Sequence, residues 1–161
     1  MRKKATKTLK KPVPAGPERT PLSEGQRKFL VGQVLFCAVG IFLLGMPAFF
    51  FIGMAFGPGP GGKSLYFGLF AVGSFGFASL VGWMGRKFVN DLRSGVVLNQ
   101  RGKILELHTR NGVIRQVEVE GIGMLDPLPG RKVAPFEKEP EAGKAFTVTY
   151  SPASGILWNL R

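Results

Sequence analysis

Residues 29–56, FLVGQVLFCAVGIFLLGMPAFFFIGMAF, run for 28 positions without a charged side chain, and only Gln33 among them is strongly polar. At about 1.5 Å per residue, a helix of that length exceeds the roughly 30 Å hydrocarbon core of a bilayer. Tilt absorbs the surplus, or a bend at Pro47, whose ring removes one N–H from the helical ladder. A second apolar run, Leu65–Met84, has 20 residues and matches the core thickness. The intervening GPGPGGKS, residues 57–64, holds four glycines and two prolines, which no helix tolerates. The pattern predicts a transmembrane helical hairpin over 29–87, with helices at about 29–56 and 65–85. The first run is roughly twice the length of a signal-peptide core, and no A-x-A-like site closes it. Both runs are apolar around their circumference, unlike a helix on the surface of a soluble domain.

Charge sets the expected orientation. Of 22 Lys and Arg in a chain of net charge +12, nine precede the first helix, Lys63 lies in the connection and twelve follow the second helix. Positive flanks stay on the cytoplasmic side, so both termini are expected there, in the inner (cell) membrane of a prokaryote. Tyr66 and Trp83, at opposite ends of the second helix, suit the headgroup layer. Residues 1–28 carry four prolines, a net charge of +7 and few large apolar residues, the composition of a disordered cytoplasmic tail. Beyond holding the topology, Arg2, Lys3, Lys4, Lys7, Lys10 and Lys11, together with Arg86 and Lys87, are candidates to touch anionic lipid or an acidic partner. The tail has no aromatic residue to stack on a base, which disfavours nucleic acid as a partner.

Small residues form stripes on the two helices. Ala71, Ser74, Ala78, Gly82 and Gly85 are spaced by three or four, and Ala38, Gly45, Ala48 and Ala55 by seven, three and seven. Such stripes let helix backbones approach closely, within the hairpin or against a helix of another protein.

Residues 88–161 read as a small cytoplasmic β-domain. Phe88–Leu92 prolongs the second helix until Gly95 stops it. VVLNQ, KILELHT, VIRQVEV, AFTVTY and GILWNL then predict five strands of an antiparallel barrel or rolled sheet. Asn111-Gly112 is the strongest hairpin signal, Arg101-Gly102 suggests a further turn, and residues 121–132 read as a surface loop.

Few residues offer chemistry. Gly57, Gly62, Lys63 and Ser64 reproduce the phosphate-loop string G-x-x-x-x-G-K-[ST]. Pro58 and Pro60 supply no N–H, however, and a membrane helix stands where the buried strand should be. His108 is the single histidine and Cys37 the single cysteine, so neither a zinc set of the usual kind nor an internal disulfide can form. Glu118 and Glu120 alternate on one strand and read as solvated surface. Neither apolar run carries the mid-membrane ionisable group that ion and proton carriers use. No catalytic, cofactor-binding or metal-binding residue is expected, and no cofactor.

Gly95-Val96-Val97, the Gly102 turn and G-x-x-F-x-V-x-Y-x-P-x-S over residues 143–154 resemble a pattern of uncharacterised two-helix prokaryotic membrane proteins with a small C-terminal β-domain. The resemblance implies a membrane-tethered β-module and no activity. The expectation is a membrane α+β chain that acts as a non-enzymatic accessory or scaffold subunit, its helices packed against those of other membrane subunits. The alternative is a tethered β-module that binds a lipid headgroup or ligand at the cytoplasmic face.

Overall fold

A computed structural model describes residues 16–56, 63–127 and 140–161. Two helices dominate it, α1 (Glu24–Phe56) and α2 (Lys63–Ser94), each long and apolar enough to cross a membrane. At about 1.5 Å per residue, their 33 and 32 residues reach roughly 50 Å. The charged ends, Glu24–Lys28 on α1 and Arg86–Ser94 on α2, account for part of the surplus over a bilayer core. In the most apolar 18-residue stretch of each helix only 11% and 6% is buried, so these are not core helices of a soluble domain. Helix α1 continues through Pro47.

Strand β1 (Glu18–Pro21) precedes α1, and α2 is followed by β2 (Val96–Arg110), β3 (Val113–Val119), β4 (Gly123–Pro127), β5 (Ala145–Tyr150) and β6 (Ile156–Leu160). The sheet runs β2-β3-β4-β6-β5, and a β2–β5 pairing closes it into a five-stranded barrel. Strand β1 adds to the start of β2, Glu18 opposite Asn99 and Pro21 opposite Val96. Counted from β2, the order is 1-2-3-5-4-1, with the third and fifth strands parallel, the arrangement of an OB-type barrel.

Four expectations need correction. The sheet is mixed rather than antiparallel, because β4 pairs parallel with β6, Asp126 opposite Ile156. No turn forms at Arg101-Gly102: β2 is one 15-residue strand, paired with β5 over Leu98–Lys103 and with β3 over Ile104–Arg110. Gly102 marks a close approach instead, since a Cβ there would sit 2.4 Å from Val119 Cγ1. The loop expected over 121–132 contains strand β4, which starts at Gly123 after turn residues 121 and 122. Residues 18–28, placed by composition in the basic tail, contain β1 and the first turn of α1. The Asn111-Gly112 turn does join β2 to β3, with φ of 55° and 72°, values Asn and Gly accept most readily. Residues 1–15 and the connection at 57–62 lie outside the described residues.

Two apolar clusters organise the molecule. Ile104, Val117, Val119, Leu125, Phe146, Val148, Leu157 and Leu160 fill the barrel. Leu30, Val97, Ile156 and Trp158 form a second core with Leu22, Phe29, Phe88 and Leu92 against them. This second core draws on both helices, β2 and β6, and the Trp158 ring meets Phe29 edge-on at 5.7 Å. Strand β6 feeds both clusters, which explains why ILWNL reads as a nearly continuous apolar run. Tyr150 lies at the barrel wall, where partial burial raises its phenol above the ordinary value of 10.0. The folded state therefore holds that proton more tightly than the unfolded chain, and stability declines as pH rises past about 10. Tyr150→Phe should flatten this alkaline decline in thermal melts recorded from pH 8 to 11.

Candidate functional site

The helix ends that meet the barrel hold the most specific geometry among the described residues. A capping box starts α1: the Ser23 N–H donates to Gln26 Oε1 at 2.8 Å, and the Gln26 N–H donates to Ser23 Oγ at 3.3 Å. Gly95, with φ of 64°, stops α2, its N–H donating to the Asp91 carbonyl. The Leu22 N–H then donates to the Gly95 carbonyl at 2.9 Å, which ties the entry of one helix to the exit of the other.

Asp91 joins the helix pair to the barrel. Its side chain is fully buried, with Oδ1 accepting the Ala153 N–H and Oδ2 the Ser154 N–H, both at 2.9 Å. These donors sit in the β5–β6 loop, Ser151–Gly155, which also receives the Trp158 Nε1–H on Ser151 Oγ at 2.8 Å. In barrels of this topology that loop and the outer face of the second and third strands commonly take ligands. Here the loop is engaged by α2. The face carries Gln116 and Glu118 on β3 and Asp126 on β4, with Gln116 Nε2 donating to Asp126 Oδ1 at 3.0 Å.

Beside them, Glu106 and His108 on β2 and Glu118 on β3 bring one possible ligand atom each within 4.8 Å of one another. Glu106 is the cross-strand partner of Glu118, so the carboxylate pair is formed across β2 and β3 rather than along β3, and Glu120 lies in the turn that follows. A divalent cation suits such a donor set. The Glu106 and Glu118 carboxylates repel each other across the strands, and His108 Nδ1, 3.7 Å from Glu106 Oε1, offsets that repulsion when protonated.

The helix seam follows a 3.5-residue repeat, Phe67, Ala71, Ser74, Ala78, Val81, Gly85 and Phe88 on α2 being buried or half-buried. Of the small residues singled out above, Ala48 and Ala71 are buried in the seam, Gly45, Ser74, Ala78 and Gly82 are half-buried, and Ala38 is exposed. Gly85 makes the tightest approach: a Cβ there would stand 3.1 Å from Cys37 Cβ, an atom fixed to the α1 backbone. Gly85→Val should force the helices apart, cost about 1–3 kcal/mol, and speed N-ethylmaleimide labelling of the now-buried Cys37 in detergent.

On one side of the seam the small residues leave a groove of about 420 Å³. Val34, Cys37, Ala38 and Ile41 line it from α1 and Gly82, Gly85 and Val89 from α2, with Arg86, Asn90 and Arg93 at its polar end. The basic pair Arg86–Lys87 is thus divided. Arg86 faces this groove, whereas the Lys87 ammonium lies 4.1 Å from the centre of the Trp83 ring. Arg2, Lys3, Lys4, Lys7, Lys10 and Lys11 lie outside the described residues.

Compared with family models, characterised proteins and solved structures, the chain has no match in any of the three.

Proposed function

We propose that the chain is a non-enzymatic accessory or scaffold subunit of a larger complex in a prokaryotic inner membrane, both flanks of its helix pair facing the cytoplasm. The observation that carries this reading is the joint. A domain that is merely tethered needs only a linker, whereas here a buried aspartate, a shared apolar core and strand β1 fix the barrel to the helix ends. Such a joint holds the barrel at one height and orientation over the membrane surface, which is useful when neighbouring subunits must meet it in register. Arg19, Arg27, Lys28, Arg86, Lys87 and Arg93 lie at the same end of the hairpin as the barrel, in keeping with a cytoplasmic placement. The exposed apolar circumference would be covered by lipid and by partner helices. Glu106, Glu118 and Asp126 on the outer barrel face disfavour a nucleic-acid partner, because phosphates would meet like charge. Purification in several mild detergents followed by mass determination tests the reading: stoichiometric membrane subunits should accompany the chain, and a lone monomer in every detergent would count against it. The second reading, a module that binds a lipid headgroup, is favoured by the groove beside Arg86 and Arg93.

A further inference from the structure

We propose that the groove between α1 and α2 is a specific site for one anionic phospholipid of the cytoplasmic leaflet. Val34, Cys37, Ala38, Ile41, Gly82 and Gly85 would receive an acyl chain, and Arg86, Asn90 and Arg93 the phosphate. The inference rests on the membrane reading above.

The groove changes character along its length. Cys37 packs on Gly85 and Ile41 on Gly82, so the helices run antiparallel past each other, and the apolar lining lies toward the membrane centre. The polar end lies toward the barrel, on the last two turns of α2. Arg86 and Arg93, seven residues apart, stand about 10 Å from each other along the helix axis, with Asn90 between them. Among the described residues neither arginine has an ion-pair partner: the salt bridges are Lys28–Glu24, His108–Glu106 and Lys144–Glu141. Two unpaired guanidinium groups at the mouth of an apolar slot complement a molecule with an anionic head and a hydrocarbon tail. Guanidinium also suits phosphate, because its planar fork donates two parallel hydrogen bonds. The volume falls in the range of small-ligand sites. A polar headgroup without net charge would leave the arginines uncompensated, which gives the site its selectivity.

The test uses the full chain in mild detergent, titrated with phosphatidylglycerol or with phosphatidylcholine of the same acyl composition and read by native mass spectrometry. One phosphatidylglycerol per chain should be retained in preference to phosphatidylcholine. With each basic side chain near a lipid surface contributing on the order of 1 kcal/mol, Arg86→Gln with Arg93→Gln should weaken retention about 30-fold. Arg110→Gln with Arg115→Gln, at the far hairpin of the barrel, should leave it unchanged. Ala38→Leu, which fills the slot while keeping both arginines, should also lower retention, a loss that simple surface attraction would not show. The two arginines are exposed, so their replacement tests the site without disturbing a core. Equal retention of the two lipids, or wild-type retention by both the double-arginine and Ala38→Leu chains, would overturn the inference and leave the anchor reading standing. A chain that is monodisperse without detergent would overturn the membrane reading itself.

Discussion

Asp91→Ala should release the barrel from the helix pair. The substitution removes a buried carboxylate with two charge-assisted hydrogen bonds and leaves the part-buried Ala153 and Ser154 N–H groups without their acceptor. Bonds of this kind are worth about 1.5–3 kcal/mol each, and an orphaned donor carries its own desolvation cost, so a loss of about 3–5 kcal/mol is expected. Asp91→Asn keeps the shape and one acceptor and should lose about half as much. Amide hydrogen exchange reads the effect locally. Protection should fall first at Ala153, Ser154 and Gly155, while the α1–α2 seam around Ala48 and Ala71 keeps its protection. Unchanged exchange in the Ser151–Gly155 loop would show that the aspartate does not hold the joint.

Gly102→Val should be the most damaging single change within the barrel. Even the first carbon of a side chain at this position would lie 2.4 Å from Val119 Cγ1, and Val119 is itself buried in the barrel core. Either Val119 leaves its rotamer or β2 moves away from the β3–β4 turn, and overpacking of this kind costs about 1–3 kcal/mol for one carbon and more for a branched side chain. A double-mutant cycle isolates the cause. Gly102→Ala and Val119→Ala each destabilise, but combined they should fall short of the sum by about 1–2 kcal/mol, because the second removes the atom the first strikes. Strict additivity in denaturant titrations would place the damage elsewhere.

These two residues also mark where sequence reasoning stopped. The helix pair was legible because length and absence of charge are properties of a continuous stretch, readable without knowing what lies next to it. The Asn111-Gly112 hairpin was legible for the same reason: positive φ at two consecutive positions is a local demand that few residue pairs meet. Gly102 misled because a glycine needed for a close approach across strands looks the same in sequence as one needed for a reversal. Strand β4 was hidden by its five-residue length and a terminal proline. Its partner β6 lies about 30 positions away and pairs in parallel, so no local turn announces it. Strand β1 was hidden inside a basic, proline-rich segment whose composition is that of a tail, and it is ordered by pairing with β2 rather than by its own residues.

Asp91 had one signal available. An acid in the last turn of a helix opposes the macrodipole, and this one stands among Arg86, Lys87 and Arg93. Such a residue needs a reason from outside the helix, and the Ala153 and Ser154 amides supply it. The stripes of small residues were legible as stripes, but which members enter the seam depends on how the two helices rotate against each other. That rotation buries Ala48 and Ala71 and turns Ala38 out to the groove.

The central claim is that two membrane crossings return the chain to the side it started from, where β1 and β2 pair. Single cysteines test it directly in a Cys37→Ser background: Arg19→Cys in β1 and Asn111→Cys at the β2–β3 turn, labelled with a membrane-impermeant maleimide in right-side-out and in inverted inner-membrane vesicles. The account predicts that both positions label in inverted vesicles and neither in right-side-out ones. Labelling of the two positions from opposite sides would contradict it.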